Sequence, residues 1–448
     1  MNSSVLEHAE GGSRGGSLPA LLVVVMLALT GLAIPLRISS LGHVPSDDAL
    51  RHAAKAVAGS DWENVLVTRP GGAADTHPGW HWLLESVHRT TRAAPDALVM
   101  FEFVLAFGLL AIVPAFFCRR PEAWFCALLP VFMFAPNILA RMMLGRPFLI
   151  TALVLLIVCM NWKQLRGEKW RAGWMVVFTL LFLLAGWMHC AWYLWAFPLF
   201  FFVCAREWRV AWRLTICIVV GAGGSLLLSG EPIMVLRTMF ITATEGPSQS
   251  VSPSVVAEEF RPHAAGPAFL LVIALLFWRY LRGTWSRNAV DNPVFFMMLG
   301  GVVCGHIVAR FWYDWGAIAA LVWMAGELDD VLDQQAGFRR WKRVAFVGIV
   351  SISLFVISTS DLAGRWSEHF PHQALDYDRF PEQKQAYFPE RGGVFYSADM
   401  QFFYYTFFEN PRKDWRYILG YEHALMPRAD LKVYRRIQQS CYDTRAYL

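Results

Sequence analysis

Charge is scarce in this chain. Only 17% of its 448 residues are Asp, Glu, Lys or Arg, against 56% hydrophobic, and the mean hydropathy is +0.38. A soluble domain carries nearer a quarter charged residues, so the deficit excludes an ordinary soluble protein and points to a polytopic membrane protein. Cysteine is present but not in any useful arrangement. Of eight, seven (Cys118, Cys126, Cys159, Cys190, Cys204, Cys217 and Cys304) lie in or beside apolar runs, and only Cys441 falls in the polar tail. That tail therefore cannot hold an internal disulfide, and no CxxC or Cys/His zinc spacing occurs. An internal repeat is also lacking, which argues against an inverted-repeat transporter. No basic n-region precedes the first apolar run, and the stretch before it is rich in Gly and Ser, so a retained anchor is expected instead of a cleaved signal. The net charge of +5 comes without a groove-reading motif, and no nucleic acid is expected as a partner.

What is abundant is apolar sequence of membrane-spanning length. Runs fall at roughly 18–38, 97–117, 122–139, 147–162, 172–189, 191–205, 214–230, 266–282, 292–309, 315–328 and 343–359. These suggest about 11 transmembrane helices, each near the ~20 residues that cross the hydrocarbon core. Arg119/Arg120, Lys163/Arg166/Lys169/Arg171, Arg206/Arg209/Arg213, Arg279/Arg282/Arg287 and Arg339/Arg340/Lys342/Arg343 occupy every second connection. By the positive-inside rule these turns are cytoplasmic, as is the N-terminus, and the C-terminus lies outside.

Two longer polar stretches then fall on the outer side. After the first run, Ser46 can cap a helix through Leu50, Ala53, Ala54 and Val57, which Gly59-Ser60 would end. Arg69-Pro70-Gly71-Gly72 breaks the chain. A second helix, rich in Trp and His, follows over His77-Pro78-Gly79-Trp80-His81-Trp82-Leu83, and such a helix suits the membrane interface. The tail, 360–448, reads as a small α/β domain with strands at 394–397 and 416–421 and helices at 399–408 and 428–439. The organisation expected is a transmembrane module over 1–359, with its outer loop at 39–95, and an extracytoplasmic domain over 360–448.

The few ionisable residues cluster at the outer ends of spans. Asp47 and Asp48 stand together just past the first run, where a carboxylate can serve as general base or metal ligand for a lipid-borne substrate. Acidic residues in a first helical turn also stabilise the helix dipole, by about 0.3–1 kcal/mol, and Asp48 could do no more than that. Arg141 and Arg146 form a basic pair in a short outer hairpin, against the charge bias of that side. A phosphate or pyrophosphate would explain them, since guanidinium binds phosphate bidentately; headgroup snorkelling is the bland alternative. Arg310 has Asp314 four residues on, and a structural ion pair is favoured there. His77, His189 and His306 lie at the same side, where a lone His is more often a packing residue. Glu102 is inside the second run and must face protein or a cavity. Glu258-Glu259-Phe260-Arg261 sits in the long outer connection.

This layout resembles the GT-C superfamily of polytopic glycosyltransferases. The matching elements are Asp47-Asp48 with the helical Ala49-Leu50-Arg51-His52-Ala53, the His-Pro segment at His77-Pro78, Arg146-Pro147 opening a span, and a closing outer domain. In many members the acidic pair is Asp-Glu; here it is Asp-Asp. The resemblance implies a GT-C-like helical fold and transfer of a sugar from a polyprenyl-phosphate-linked donor to a glycan, lipid or protein acceptor at the outer face. It implies inversion with Asp47 as base, with Arg141, Arg146, Arg310, His77 and His189 as donor and phosphate contacts. It leaves open a divalent metal (Mg or Mn) at Asp47 or Asp48. Cell-envelope or exopolysaccharide assembly at a bacterial inner membrane, within the lipid bilayer, is the expected setting. A glycan polymerase or ligase, and a transporter or flippase of lipid-linked intermediates, are the alternatives.

Overall fold

The computed structural model describes residues 17–45, 48–70, 72, 74–168, 171–245, 262, 266–284, 286–334, 341–367, 376–379, 385, 388–397, 399–420 and 422–439. Ser46, Asp47, Glu258-Glu259-Phe260-Arg261 and Cys441 lie outside the described residues.

The chain is a helical membrane protein. Each expected apolar run lies on helix, because a backbone in lipid must satisfy its own hydrogen bonds. Among the described residues, six helices are long and apolar enough to cross: Leu18–Ser40, Pro95–Phe117, Phe148–Leu165, Arg171–Met188, Trp208–Leu228 and Trp341–Thr359. Their outward faces are apolar, with Leu29, Leu180, Val219 and Ile352 exposed, as expected of surfaces that meet lipid. A seventh span is formed if Glu122–Phe134 and Pro136–Met142 are joined, but these two helices meet at 111°. Pro136 causes the break: it disfavours helix at the residue before it and offers no amide hydrogen, and Ala135 sits at φ −131, ψ 63. Trp192–Cys204, Gly266–Leu281 and Pro293–Gly305 are apolar but shorter. The expected run at 315–328 lies largely in Ala317–Gln334, whose second half turns acidic.

The first helix packs between Trp341–Thr359 and Pro95–Ile112, and Ala317–Gln334 packs against Glu122–Phe134, Phe148–Asn161 and Pro293–Gly305. Ala317–Gln334 also defines the two ends of the bundle. Near its C-terminal end Arg119 pairs with Asp329, Asp330 and Asp333, and Arg279 with Glu327. At its N-terminal end stands Asp314. Its 18 residues separate the two by about 27 Å at 1.5 Å per residue, close to the ~30 Å of a hydrocarbon core.

At the Asp314 end lies a layer built from the chain after the first helix. The helix Asp48–Ala58 is buried almost all round: Ala49, Leu50, Ala53 and Ala54 are inaccessible, and so are the polar Arg51, His52 and Lys55 to within a few per cent. Met400–Glu409 packs against it, and Asp399 caps that helix by accepting from the Gln401 N–H at 2.9 Å. Strands β1 (Val394–Phe395) and β2 (Arg416–Tyr417) pair in parallel, Val394 with Arg416 and Phe395 with Tyr417. They are two residues each, shorter than the sequence suggests. Leu66 bridges to Tyr417, and the N–H groups of Val67 and Arg69 donate to the carbonyls of Tyr417 and Leu425, both at 2.9 Å. The aromatic centre of the tail (Phe395, Phe403, Phe407, Tyr417) is thus continuous with the main core through Trp62 and Leu66. The final helix, Arg428–Gln439, has the limits read from sequence.

Candidate functional site

Asp48 opens its helix, and among its partners are Arg51, Tyr404 and Arg146. Arg51, one turn on, donates from Nε to Oδ1 at 2.8 Å, and the Tyr404 hydroxyl donates to the same oxygen at 3.1 Å. Arg146 Nε lies 3.8 Å from Oδ2. Burial pushes the Asp48 carboxyl up, but Arg51 and Arg146 outweigh it and hold it well below the usual carboxylate range. An anion so clamped is a poor proton acceptor. Arg146 reaches it because Gly145 turns at φ +66; a side chain on Gly145 would press on Glu102, Phe103 and Ala49 at 3.3–3.4 Å. Glu102, fully buried, accepts from Trp80 Nε1 at 3.0 Å and so ties the second span to the helix Pro78–Thr91.

Beside Asp48 runs a chain of imidazoles. His52 Nδ1 and His81 Nε2 are 2.7 Å apart, and His81 Nδ1 is 2.6 Å from Asp75 Oδ2. Asp75 Oδ1 accepts from the His77 N–H at 2.9 Å, and Lys55 Nζ lies 3.9 Å from Oδ2. The His77 ring is 4.9 Å from that of His52 and 5.4 Å from that of His189, centroid to centroid. Burial holds the His52, His77, His81 and His189 rings below the usual histidine value. Arg51 adds to this at His52 and His77, and Asp75 opposes it at His81. His189 is pushed down to about 3 by burial and then by Arg310, against Asp48. Asp75 is driven the other way: burial would raise it, but the His81 ring and Lys55 hold it ionised.

The third group is centred on Asp314, whose side chain is inaccessible. Arg141 donates to Oδ1 from Nε at 2.9 Å and Nη2 at 2.7 Å, and Arg310 Nε donates to Oδ2 at 3.0 Å. Asp314 lies in a wide turn, Trp312–Gly316, with π-type hydrogen bonding, a geometry that recurs at functional sites. The turn sits tightly on Pro293–Gly305 because Gly316 and Gly301 touch backbone to backbone; a Cβ on Gly301 would meet Gly316 Cα at 2.4 Å. Below it is a narrow apolar groove with about 40 Å³ of accessible space, lined by Leu110, Ile138, Met142, Phe148, Leu149 and Leu156 and bordered by Arg141, Tyr313 and Asp314. Phe148 links the groove to the histidine cluster, since its ring contacts His189 at 5.5 Å and Trp315 at 6.3 Å.

Of the residues proposed from sequence, Asp48, Arg146, His77, His189 and Arg310 thus meet at one mouth of the bundle. Arg141 stands one ion pair away, joined to Arg310 through Asp314. The Arg310–Asp314 pair is the structural bond favoured from sequence. His306 is exposed and takes no part. Arg51, His52, Asp75, His81 and Tyr404 were not singled out as site residues. The nearest sequence signal for them is the spacing of His77 and His81, one turn apart just after Asp75.

Among the described residues no three His, Cys, Asp or Glu converge on a metal position, and Arg51 and Arg146 stand beside Asp48; Asp47, the other carboxylate considered as a metal ligand, lies outside the described residues. Compared with protein-family models, curated proteins and solved structures, the chain finds no match.

Proposed function

We propose that this protein is a GT-C-like integral-membrane glycosyltransferase that moves a sugar from a polyprenyl-phosphate carrier to a glycan, lipid or protein acceptor. The observation that carries the reading is the junction at Phe148, where a narrow apolar groove meets the cluster of Arg146, Arg310, His77 and His189. A prenyl chain asks for the first and a phosphate for the second. Guanidinium groups stabilise phosphate by charge-assisted, bidentate hydrogen bonds. Their value is greatest where charge develops, on the bridging oxygen as the sugar–phosphate bond breaks. The phosphate departs as an anion, so no acid is needed to protonate it. Attack by the acceptor hydroxyl from the opposite side of the sugar inverts the anomeric centre and requires a base. The resemblance assigns that base to Asp47. The paired basic turns at the far end of Ala317–Gln334 belong on the cytoplasmic side by the positive-inside rule. The cluster then lies at the periplasmic face of a bacterial inner membrane, where envelope and exopolysaccharide precursors are assembled.

The test uses the full chain in nanodiscs with a panel of radiolabelled undecaprenyl-phosphate sugars. Wild type should bind a donor and release its sugar to an acceptor fraction, and Arg146→Ala should lose at least tenfold in transfer. Label carried on long chains would favour a polymerase or ligase. Movement of the lipid between leaflets without transfer would favour a flippase. Absence of both donor binding and transfer overturns the reading.

A further inference from the structure

We infer that His52, oriented by His81 and Asp75, accepts the proton of the attacking hydroxyl in this reaction, an inference that rests on the glycosyltransferase reading above. The argument is one of hydrogen accounting along a chain of three side chains. Asp75 is an ionised carboxylate and can only accept, so His81 Nδ1, 2.6 Å away, carries the hydrogen and donates it. A neutral His81 then presents a lone pair at Nε2. His52 Nδ1, 2.7 Å from that atom, must therefore be the donor. A neutral imidazole bears one hydrogen, so His52 Nε2 is left as a bare lone pair. It is this atom that is buried without a hydrogen-bond partner. Leaving a buried acceptor unpaired is costly, and a base awaiting a hydroxyl gives that lone pair a use.

The surroundings favour the same assignment. Burial, and after it Arg51, His81, His77 and His189, keep the His52 ring neutral at working pH, hence ready to accept. Asp75, Lys55 and Arg51 act on His81, and there Asp75 works in favour of the charged form. A proton taken up at His52 Nε2 is thus drawn onward. As the acceptor oxygen bonds to the anomeric carbon, its hydrogen passes to His52 Nε2, and the His52 Nδ1 hydrogen passes to His81 Nε2. The resulting imidazolium is held against the Asp75 carboxylate. The bond between the anomeric carbon and the carrier's phosphate oxygen breaks with its electron pair, and polyprenyl phosphate leaves as an anion. Atoms and charge balance without a further reactant. Asp75, with 28% of its side chain exposed, provides the way out to solvent. His52 is itself inaccessible, so an acceptor can reach it only if the half-buried rings of His77 and His189 move aside. Asp48 cannot replace His52, because Arg51 and Tyr404 already occupy one of its oxygens and Arg146 approaches the other.

The experiment compares wild type, His52→Gln, Asp75→Asn and Asp47→Asn as full-length proteins in nanodiscs. Donor binding, turnover with radiolabelled undecaprenyl-phosphate sugars and the pH profile of turnover are all measured. His52→Gln should bind donor as wild type does and lose about 100- to 10,000-fold in turnover, the range of a general base. Asp75→Asn removes the anion that raises His81. Its turnover should fall by a smaller factor, its donor KM should be unchanged, and the acid limb of its profile should move to lower pH. A His52→Gln protein that turns over within threefold of wild type while Asp47→Asn is inactive overturns the assignment and leaves the glycosyltransferase reading standing. If His52→Gln does not bind donor, Asp75→Asn decides: an unmoved acid limb overturns the relay. Wild type that neither binds nor transfers overturns both.

Discussion

Replacing Asp314 with Asn keeps the volume of the side chain and one acceptor oxygen but removes its charge. Three charge-assisted hydrogen bonds end on that carboxylate: two from Arg141, at 2.9 and 2.7 Å, and one from Arg310 at 3.0 Å. In the variant the amide NH₂ must point at one guanidinium, and both cations lose the carboxylate that bridges them. Deleting one partner of a buried ion pair costs about 3–5 kcal/mol. Arg141 and Arg310 retain 15% and 26% side-chain exposure, so water offsets part of the loss and the low end, about 3 kcal/mol, is expected. Globular chains unfold with an entropy of about 2.1 cal/mol/K per residue, so cooperative unfolding of 448 residues converts this to a fall in Tm of about 3 °C. The assay is thermal unfolding of the detergent-solubilised protein followed by tryptophan fluorescence, with Arg310→Gln and the double variant closing a cycle. The double variant should fall short of the sum of the single losses by at least 0.5 kcal/mol, as directly coupled residues do. A Tm within 1 °C of wild type for Asp314→Asn, or strict additivity, would refute the claim that this carboxylate locks the two arginines beside the groove.

Filling the groove should separate the lipid from the phosphate: Ala152→Trp, on a groove-lining helix, should weaken undecaprenyl-phosphate-sugar binding at least tenfold while leaving Tm near wild type. At Asp48, Tyr404→Phe removes one neutral donor and should cost about 1 kcal/mol; Asp48→Asn should cost more and also depress transfer, because Arg51 and Arg146 both lose the anion that positions them. Stability should fall on acidification. His52, His77, His81 and His189 take up protons less readily folded than unfolded. Their contribution is therefore intact above pH 6.5 and drains as pH drops toward the His189 value of about 3. Tm should hold from pH 7.5 to about 6.5 and decline from there to pH 4, His189→Phe should flatten the decline, and a flat wild-type profile would contradict neutral burial of these rings.

The helical membrane fold was legible because lipid leaves the chain so few options. A run such as 97–117 must be helix if it enters a bilayer at all, and composition alone reveals it. What composition does not reveal is whether a helix is long enough. Trp192–Cys204 and Pro293–Gly305 read as spans by hydropathy and fall short by length. The bend at Ala135 was present in the sequence as Pro136, but within an unbroken apolar run a proline is compatible with a kinked span as well as a broken one. The tail was legible where local signals suffice, as in Arg428–Gln439 after Pro427, and less so in its strands. β2 stops after Tyr417 in a setting that Leu66 shapes from some 350 positions earlier, and no local pattern encodes such a partner.

The same division between local and distant information runs through the candidate site. Charges at the ends of apolar runs stand out because the membrane makes them costly, and that argument picked out Asp48, Arg141, Arg146 and Arg310 without knowledge of their neighbours. It could not distribute roles. Two of the four, Arg141 and Arg310, spend their nearest hydrogen bonds on Asp314, while Arg146 approaches Asp48, the carboxylate that Arg51 grips most closely. The histidines present the opposite case. Nothing about His52 alone separates it from a packing residue: it lies on a helix of alanines, and the ring that fixes its tautomer is 29 positions away. Its chemistry follows only once Asp75, His81 and His52 are in line. A charge can be suspected from where it sits along the chain, but a lone pair has to be traced hydrogen by hydrogen from the group that anchors it. For that reason the carboxylate pair drew attention first, and the described structure points past Asp48 to an imidazole four residues further on.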